Sequence, residues 1–130
     1  MHAYTAESIV NNKETDRIKL LQHFEYEVLL TVSQLGNDAY PAEISRRLTK
    51  RLDRQVSIAQ VFGTLERLED KGYVNSQESK PEPVRGGRRR RIFNIQASGT
   101  QALKVTAATF SRMSSATRIF ENEYEEPSPA

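Results

Sequence analysis

Arg85 and Arg88 to Arg91 put five guanidiniums within seven residues. Cations that close repel one another unless an anion lies among them, and the planar guanidinium fork matches the oxygens of a phosphate. Such a run implies grip on a polyanion, with an affinity that falls steeply as salt rises because bound counterions are released. A second group lies upstream, where Ser57, Gln60, Gly63, Thr64 and Arg67 fall on or beside one side of a helical repeat. A glutamine amide pairs with the edge of adenine, and an arginine reaches guanine or phosphate. Gly63 and Ala59 carry almost no side chain, so a helix bearing them can bring its backbone close to base edges. Ser57 is a good N-cap for that helix, and a helix N-terminus with its partial positive charge suits phosphate.

Other chemistry finds little material. His2 and His23 are too few and too far apart for a metal site. The chain has no cysteine, which excludes disulfides and thiol chemistry and fits a reducing compartment. No nucleophile lies beside a base motif, there is no phosphate loop, and Glu66 and Glu69 read as solvated surface carboxylates. The expectation is therefore no enzyme, no metal and no cofactor. The longest apolar run, Val28-Leu29-Leu30, is far short of a membrane span, and the N-terminal residues lack the apolar stretch of a signal peptide. A soluble, cytoplasmic protein with no membrane contact is expected.

The elements that must carry these groups can be read from spacing. Residues 1–15 read as a flexible arm or short extra helix. A helix is expected over residues 16–35, capped by Asp16, with Ile18, Leu21, Phe24 or Glu25, Val28, Val32 and Leu35 at three- and four-residue steps and Leu20, Leu29 and Leu30 widening the face. An apolar face that broad suits two covers, the chain's own core and a second copy. Gly36-Asn37-Asp38 stops it. Pro41 opens a second helix that buries Ile44, Leu48 and Leu52 and turns Arg46, Arg47, Lys50, Arg51 and Arg54 outward. The third helix, from Ser57 to Gly72, buries Ile58, Val61, Leu65 and Leu68. Glu66, Glu69 and Asp70 make its last turns acidic, so they should point away from a polyanion.

Tyr73–Gln77 and Arg89–Ile95 read as two strands joined by a Pro- and Gly-containing loop, a hairpin with a basic tip and with Phe93 and Ile95 on one side. A last helix follows over residues 98–120, where Leu103, Phe110 and Thr117 repeat every seven residues, as do Thr106, Met113 and Phe120. The acidic, proline-containing residues 121–130 read as a disordered tail. With 130 residues, the chain fits one domain. The expected division is a DNA-binding domain over residues 16–96 and a dimerisation helix over 97–120.

Three helices, two strands and a helix is the order of a winged helix-turn-helix, mainly α with a small β component. The third helix then enters the major groove and the hairpin forms the wing. Charge follows the same plan. Residues 1–40 hold three Lys/Arg against six Asp/Glu, residues 41–95 thirteen against seven, and residues 96–130 three against four. A basic middle between acidic ends focuses a positive field on one face.

Four stretches together resemble the PadR family of transcriptional regulators. Ser57 to Val74, SIAQVFGTLERLEDKGYV, is similar to its third-helix run, with Phe62 where the family has Tyr and with Leu65, Leu68 and Gly72 in place. GGRRRRIF is similar to the end of its wing, and Ile95 to Leu103 to its Leu-Thr-x-x-Gly-x-x-x-Leu segment. Ala39 to Ile44 falls where it has a Tyr-Gly-Tyr-Glu-Ile type run. The resemblance spans roughly residues 24–105. It implies a homodimer joined through the first and last helices, bound to a roughly palindromic operator and often acting as a repressor. The chain departs from the pattern at Ala59-Gln60-Val61, which replaces Gly-Thr-Leu, at Pro41-Ala42, and at Gln96, which replaces a capping Thr and leaves Ser98 as the alternative cap. Some members hold planar effectors between tryptophans. This chain has no Trp, so that site is not carried over and any small-molecule effector is left open.

The reading that emerges is a dimer with Leu21, Val28, Leu103, Phe110, Met113 and Phe120 at its interface and double-stranded DNA as its partner. Its rivals are a winged-helix scaffold whose wing binds an acidic protein, and an RNA binder. The chain lacks the exposed aromatic pairs that stack single-stranded bases, which weighs against RNA.

Overall fold

The computed structural model describes residues 20–79 and 89–123, with side chains described as far as residue 118. The elements are α1 (His23–Leu35), a 3-10 turn (Gly36–Asp38), α2 (Pro41–Leu52), α3 (Ile58–Asp70), β1 (Val74–Glu78), β2 (Arg91–Ile95) and α4 (Ala97–Glu123). The mainly α winged helix-turn-helix expected from the sequence is the fold observed.

The apolar periodicities converge on one core. Val28, Leu29 and Val32 from α1, Ile44 and Leu48 from α2, Val61, Leu65 and Leu68 from α3, Phe93 from β2 and Ala102 from α4 are all buried there. Helix α1 is the hub, since α2, α3, β2 and α4 all pack on it.

The first helix differs from expectation. Residues 20–22 are not helical, and α1 begins at His23 with Gln22 as N-cap. The device is a capping box, in which the Glu25 carboxylate accepts the Gln22 backbone N–H at 3.1 Å. Asp16, the expected cap, lies outside the described residues, as do the arm, the wing loop and the end of the tail. Helix α4 continues to Glu123, three residues past its expected end. Ser98 does not cap it. The helix starts one residue earlier, and the Ser98 hydroxyl donates to the Gly72 carbonyl at 2.7 Å.

Glu25 also ties α1 to the end of α3. Its carboxylate accepts from Lys71 Nζ at 2.8 Å although the side chain is buried. Burial works against the charged form, but the hydrogen bonds from Lys71 and from the Gln22 N–H outweigh it and hold the carboxyl below its usual pKa. A carboxyl whose pKa is lower folded than unfolded stabilises the fold above about pH 4.5, and that contribution is lost as pH falls through the folded value. Lys71 is open to solvent, which screens the pair. Glu25→Gln should therefore cost about 1–2 kcal/mol at pH 7. Denaturant unfolding of both proteins across pH should show this gap closing in acid. A gap independent of pH would assign the loss to packing alone.

The turn between α2 and α3 is held from inside. Val56 is fully buried, its carbonyl accepts from Ser45 Oγ at 2.6 Å and from Thr49 Oγ1 at 3.3 Å, and its N–H donates to Thr49 Oγ1 at 3.1 Å. Two hydroxyls of α2 thereby fix where α3 starts. Asp53 closes α2 in the left-handed region, φ 52°, a conformation that Asp tolerates better than most non-glycine residues.

Strands β1 and β2 pair antiparallel, with Val74 opposite Ile95 and Glu78 opposite Arg91. Each begins or ends one or two residues from its expected limit, β1 at Val74 and β2 at Arg91. Phe93 fixes the hairpin to the helices. Its ring is buried, it meets Phe62 edge-on at 6.4 Å, and its N–H donates to the Ala39 carbonyl at 2.8 Å.

Candidate nucleic-acid interface

The first turn of α3 is uncovered. Ser57, Ile58, Ala59 and Gln60 are all exposed. The Ser57 hydroxyl accepts the Gln60 N–H at 3.0 Å, the N-cap bond expected from the sequence. That bond uses the Gln60 backbone and leaves its side-chain amide with no hydrogen-bond partner among the described residues. One turn on, a Cβ at Gly63 would meet nothing nearer than the Arg67 guanidinium at 3.9 Å. A helix-interior glycine costs up to about 1 kcal/mol against alanine. Packing within the chain gives no reason for it.

Two expectations about this helix are corrected. Thr64 is fully buried, so it cannot reach into a groove from this conformation. Its hydroxyl donates to the Gln60 carbonyl at 3.0 Å and accepts from the Arg67 guanidinium at 3.0 Å. It acts as a positioning residue, drawing Arg67 back along the helix toward Gly63. Ile58, expected in the core, is 52% exposed. The buried arc centres on Val61, Thr64, Leu65 and Leu68, and Ile58 lies outside it.

The acidic end of α3 serves the wing. Glu69 accepts from Ser76 Oγ at 2.8 Å and from the Arg91 guanidinium at 3.2 Å, while Arg91 Nε donates to Ser76 at 2.9 Å. Arg91 also lies over Phe93 at 5.6 Å. It is thus a brace between α3 and β2, with about half of its side chain still open to solvent. Arg89 pairs with Glu78 at 3.4 Å across an exposed surface, and Arg90 lies over the Tyr40 ring at 4.3 Å. Anions and aromatic rings of the chain itself therefore relieve part of the repulsion that the sequence assigned to phosphate. Arg85 and Arg88 lie outside the described residues.

Helix α2 adds cations that the sequence reading treated only as surface. Arg46, Arg47, Lys50 and Arg51 line one shallow concavity. Glu43 accepts from Arg46 at 2.6 Å and from Arg47 at 3.3 Å, and the Arg46 hydrogen bond holds its carboxyl below the usual range. Arg51 is structural, bonding Thr31 at 2.7 Å, Glu27 at 3.0 Å and Gln34 at 3.1 Å on α1. Cations thus gather on α2 and at the wing base, and groups that suit base edges lie on the first turn of α3. Among the described residues no group of three or more His, Cys, Asp or Glu is placed to hold a metal.

The expected dimer residues divide. Leu21 and Val28 are buried in the chain's own core, the first donating its N–H to Thr106 Oγ1 at 3.2 Å, so neither is available to a second copy. Leu103 is half-buried against the core, and Phe110 packs edge-on to Tyr26 at 5.0 Å. Met113 is 51% exposed, and so is Leu20, which the sequence placed on the apolar face of the first helix. The Phe120 side chain lies outside the described residues.

An exposed helix reached through a turn locked by Val56, beside a hairpin wing, defines a winged helix-turn-helix protein. The model of the transcriptional regulator PadR-like family matches residues 28–105, more than half of the chain, and the chain belongs to that family. It is a DNA-binding transcription regulator and not an enzyme. Solved structures share the fold. A PadR family transcription regulator from Clostridium difficile is 23% identical with a TM-score of 0.58, the match covering 73% of this chain and 97% of that one. A protein from Streptococcus mutans is 26% identical with a TM-score of 0.57, covering 79% of this chain and 91% of that one. Bacillus subtilis PadR, solved in complex with operator DNA, is 17% identical with a TM-score of 0.50, covering 64% of this chain and 45% of that one. No curated protein matches the chain. No helix of the described residues is long and apolar enough to cross a membrane.

Proposed function

We propose that this chain is a cytoplasmic regulator that binds a roughly palindromic operator as a homodimer and represses by blocking access to it. The observation that carries this reading is Gly63, a helix glycine whose Cβ would meet only the Arg67 guanidinium at 3.9 Å, one turn from an exposed Gln60. The glycine is costly for a surface helix and becomes useful where something must approach closely. Ser57, Gln60, Gly63 and Arg67 face the major groove. Arg89 and Arg90, with Arg85 and Arg88 from the loop, hold backbone phosphates.

The dimer is supported by α4. Residues 111–118 are all exposed, so this stretch of the 27-residue helix leaves the packed core. Helix propensity alone leaves such a segment marginal, and a partner that covers Met113 and Leu20 would stabilise it. Any effector would act by changing the spacing of the two α3 helices.

Gln60→Ala tests the reading, with duplex from upstream of the protein's own gene. It should cost about 1–3 kcal/mol on that duplex and little on scrambled sequence. Unchanged preference would remove Gln60 from the reading face. Sequence-blind binding by the wild type would favour the scaffold that engages an acidic protein.

A further inference from the structure

Ile58 is the first residue of α3, and more than half of its surface is open. Ser57 and Ala59 beside it are exposed too, so no side chain next to it in sequence closes over it. It lies one turn before Phe62, on the wing side of the helix, since Phe62 meets Phe93 of β2. Ile58 and Gln60 therefore flank the line of small residues formed by Ala59 and Gly63. In the major groove an A·T pair shows a donor and acceptor on adenine and a methyl group on thymine. The Gln60 amide matches the first, and an aliphatic side chain matches the second.

We propose that Ile58 is a specificity-determining residue that contacts a thymine methyl group in the operator. The proposal rests on the regulator reading above and adds to it an apolar contact that selects thymine at one position. Ile58 contributes little to the fold, because half of its side chain gains nothing from folding. Its branched surface loses water only when a duplex is seated.

The test begins by enriching duplexes from a random pool with the wild-type protein. Thymines of the enriched site are then replaced one at a time by uracil, which lacks only the methyl. At one position the wild type should bind the uracil duplex about three- to tenfold more weakly, the effect of one buried methyl. Ile58→Ala should bind the thymine duplex weakly by the same factor and ignore the replacement. Ile58→Val should retain part of the sensitivity. Both variants should melt with the wild type. Equal sensitivity in wild type and Ile58→Ala, or a melting temperature lowered by several degrees in Ile58→Ala, overturns the proposal while the regulator reading stands. A pool from which no sequence is enriched overturns both.

Discussion

Replacing Gly99 by alanine should destabilise the protein by about 3 kcal/mol or more, enough to lower its melting midpoint by on the order of 10 °C. Helix propensity predicts the opposite sign, since alanine in a helix is favoured over glycine by up to about 1 kcal/mol. The reason lies at the base of the wing. A Cβ at Gly99 would stand 2.3 Å from the Tyr73 carbonyl oxygen and 3.0 Å from an Ile95 side-chain carbon. The carbonyl is backbone and cannot swing aside, and it already accepts the Gln96 N–H at 2.8 Å. Next to it, Ser98 holds the Gly72 carbonyl. Seating of α4 therefore depends on a bare Cα at this point, and the buried Ala102 and Thr106 follow from that seat. Thermal or denaturant unfolding decides the matter. A variant as stable as the wild type would mean that α4 does not pack on Tyr73 as described.

The same substitution at Gly63 should act in the opposite direction on stability and should impair binding. Here a Cβ meets only the Arg67 guanidinium at 3.9 Å, an ordinary contact. Gly63→Ala should gain about 0.5–1 kcal/mol in stability. On specific duplex it should lose about 1–3 kcal/mol, because a methyl enters the space a base edge must occupy. Unfolding and duplex titration of the same preparation separate the two effects. Greater stability with undiminished affinity would remove the close approach from the account. Lower stability would show that Gly63 serves packing after all. The two glycines look alike in the sequence, both inside helices and both within stretches that resemble the family. Only the position of the Tyr73 carbonyl tells them apart.

Local chemistry was legible. Pro41 at a helix start, Ser57 as N-cap and the three- and four-residue steps of Val61, Leu65 and Leu68 each depend on neighbours a few residues away. Contacts made across the fold were not. Glu25 caps α1 and pairs with Lys71, forty-six residues on, so the helix begins later than its apolar pattern suggested. Arg91 finds Glu69 and Ser76 through the folding of the hairpin, which turns one arginine of a phosphate-seeking run into a brace. Thr64 and Ile58 exchanged expected places because a helical wheel gives the centre of a buried arc but not its edges. Leu21 and Val28 were assigned to a partner because the first helix is apolar on a broad face. In the fold α2, α3, β2 and α4 all pack on that helix, and the core takes both residues.

Sequence-specific duplex binding is measured by fluorescence anisotropy of the intact protein with duplex from upstream of its own gene, against scrambled duplex, over a series of salt concentrations. Binding to the native duplex should be tighter, and affinity should fall steeply and linearly on logarithmic axes as salt rises, as phosphates held by the wing release their counterions. Weak binding, equal for the two duplexes, would contradict sequence-specific binding.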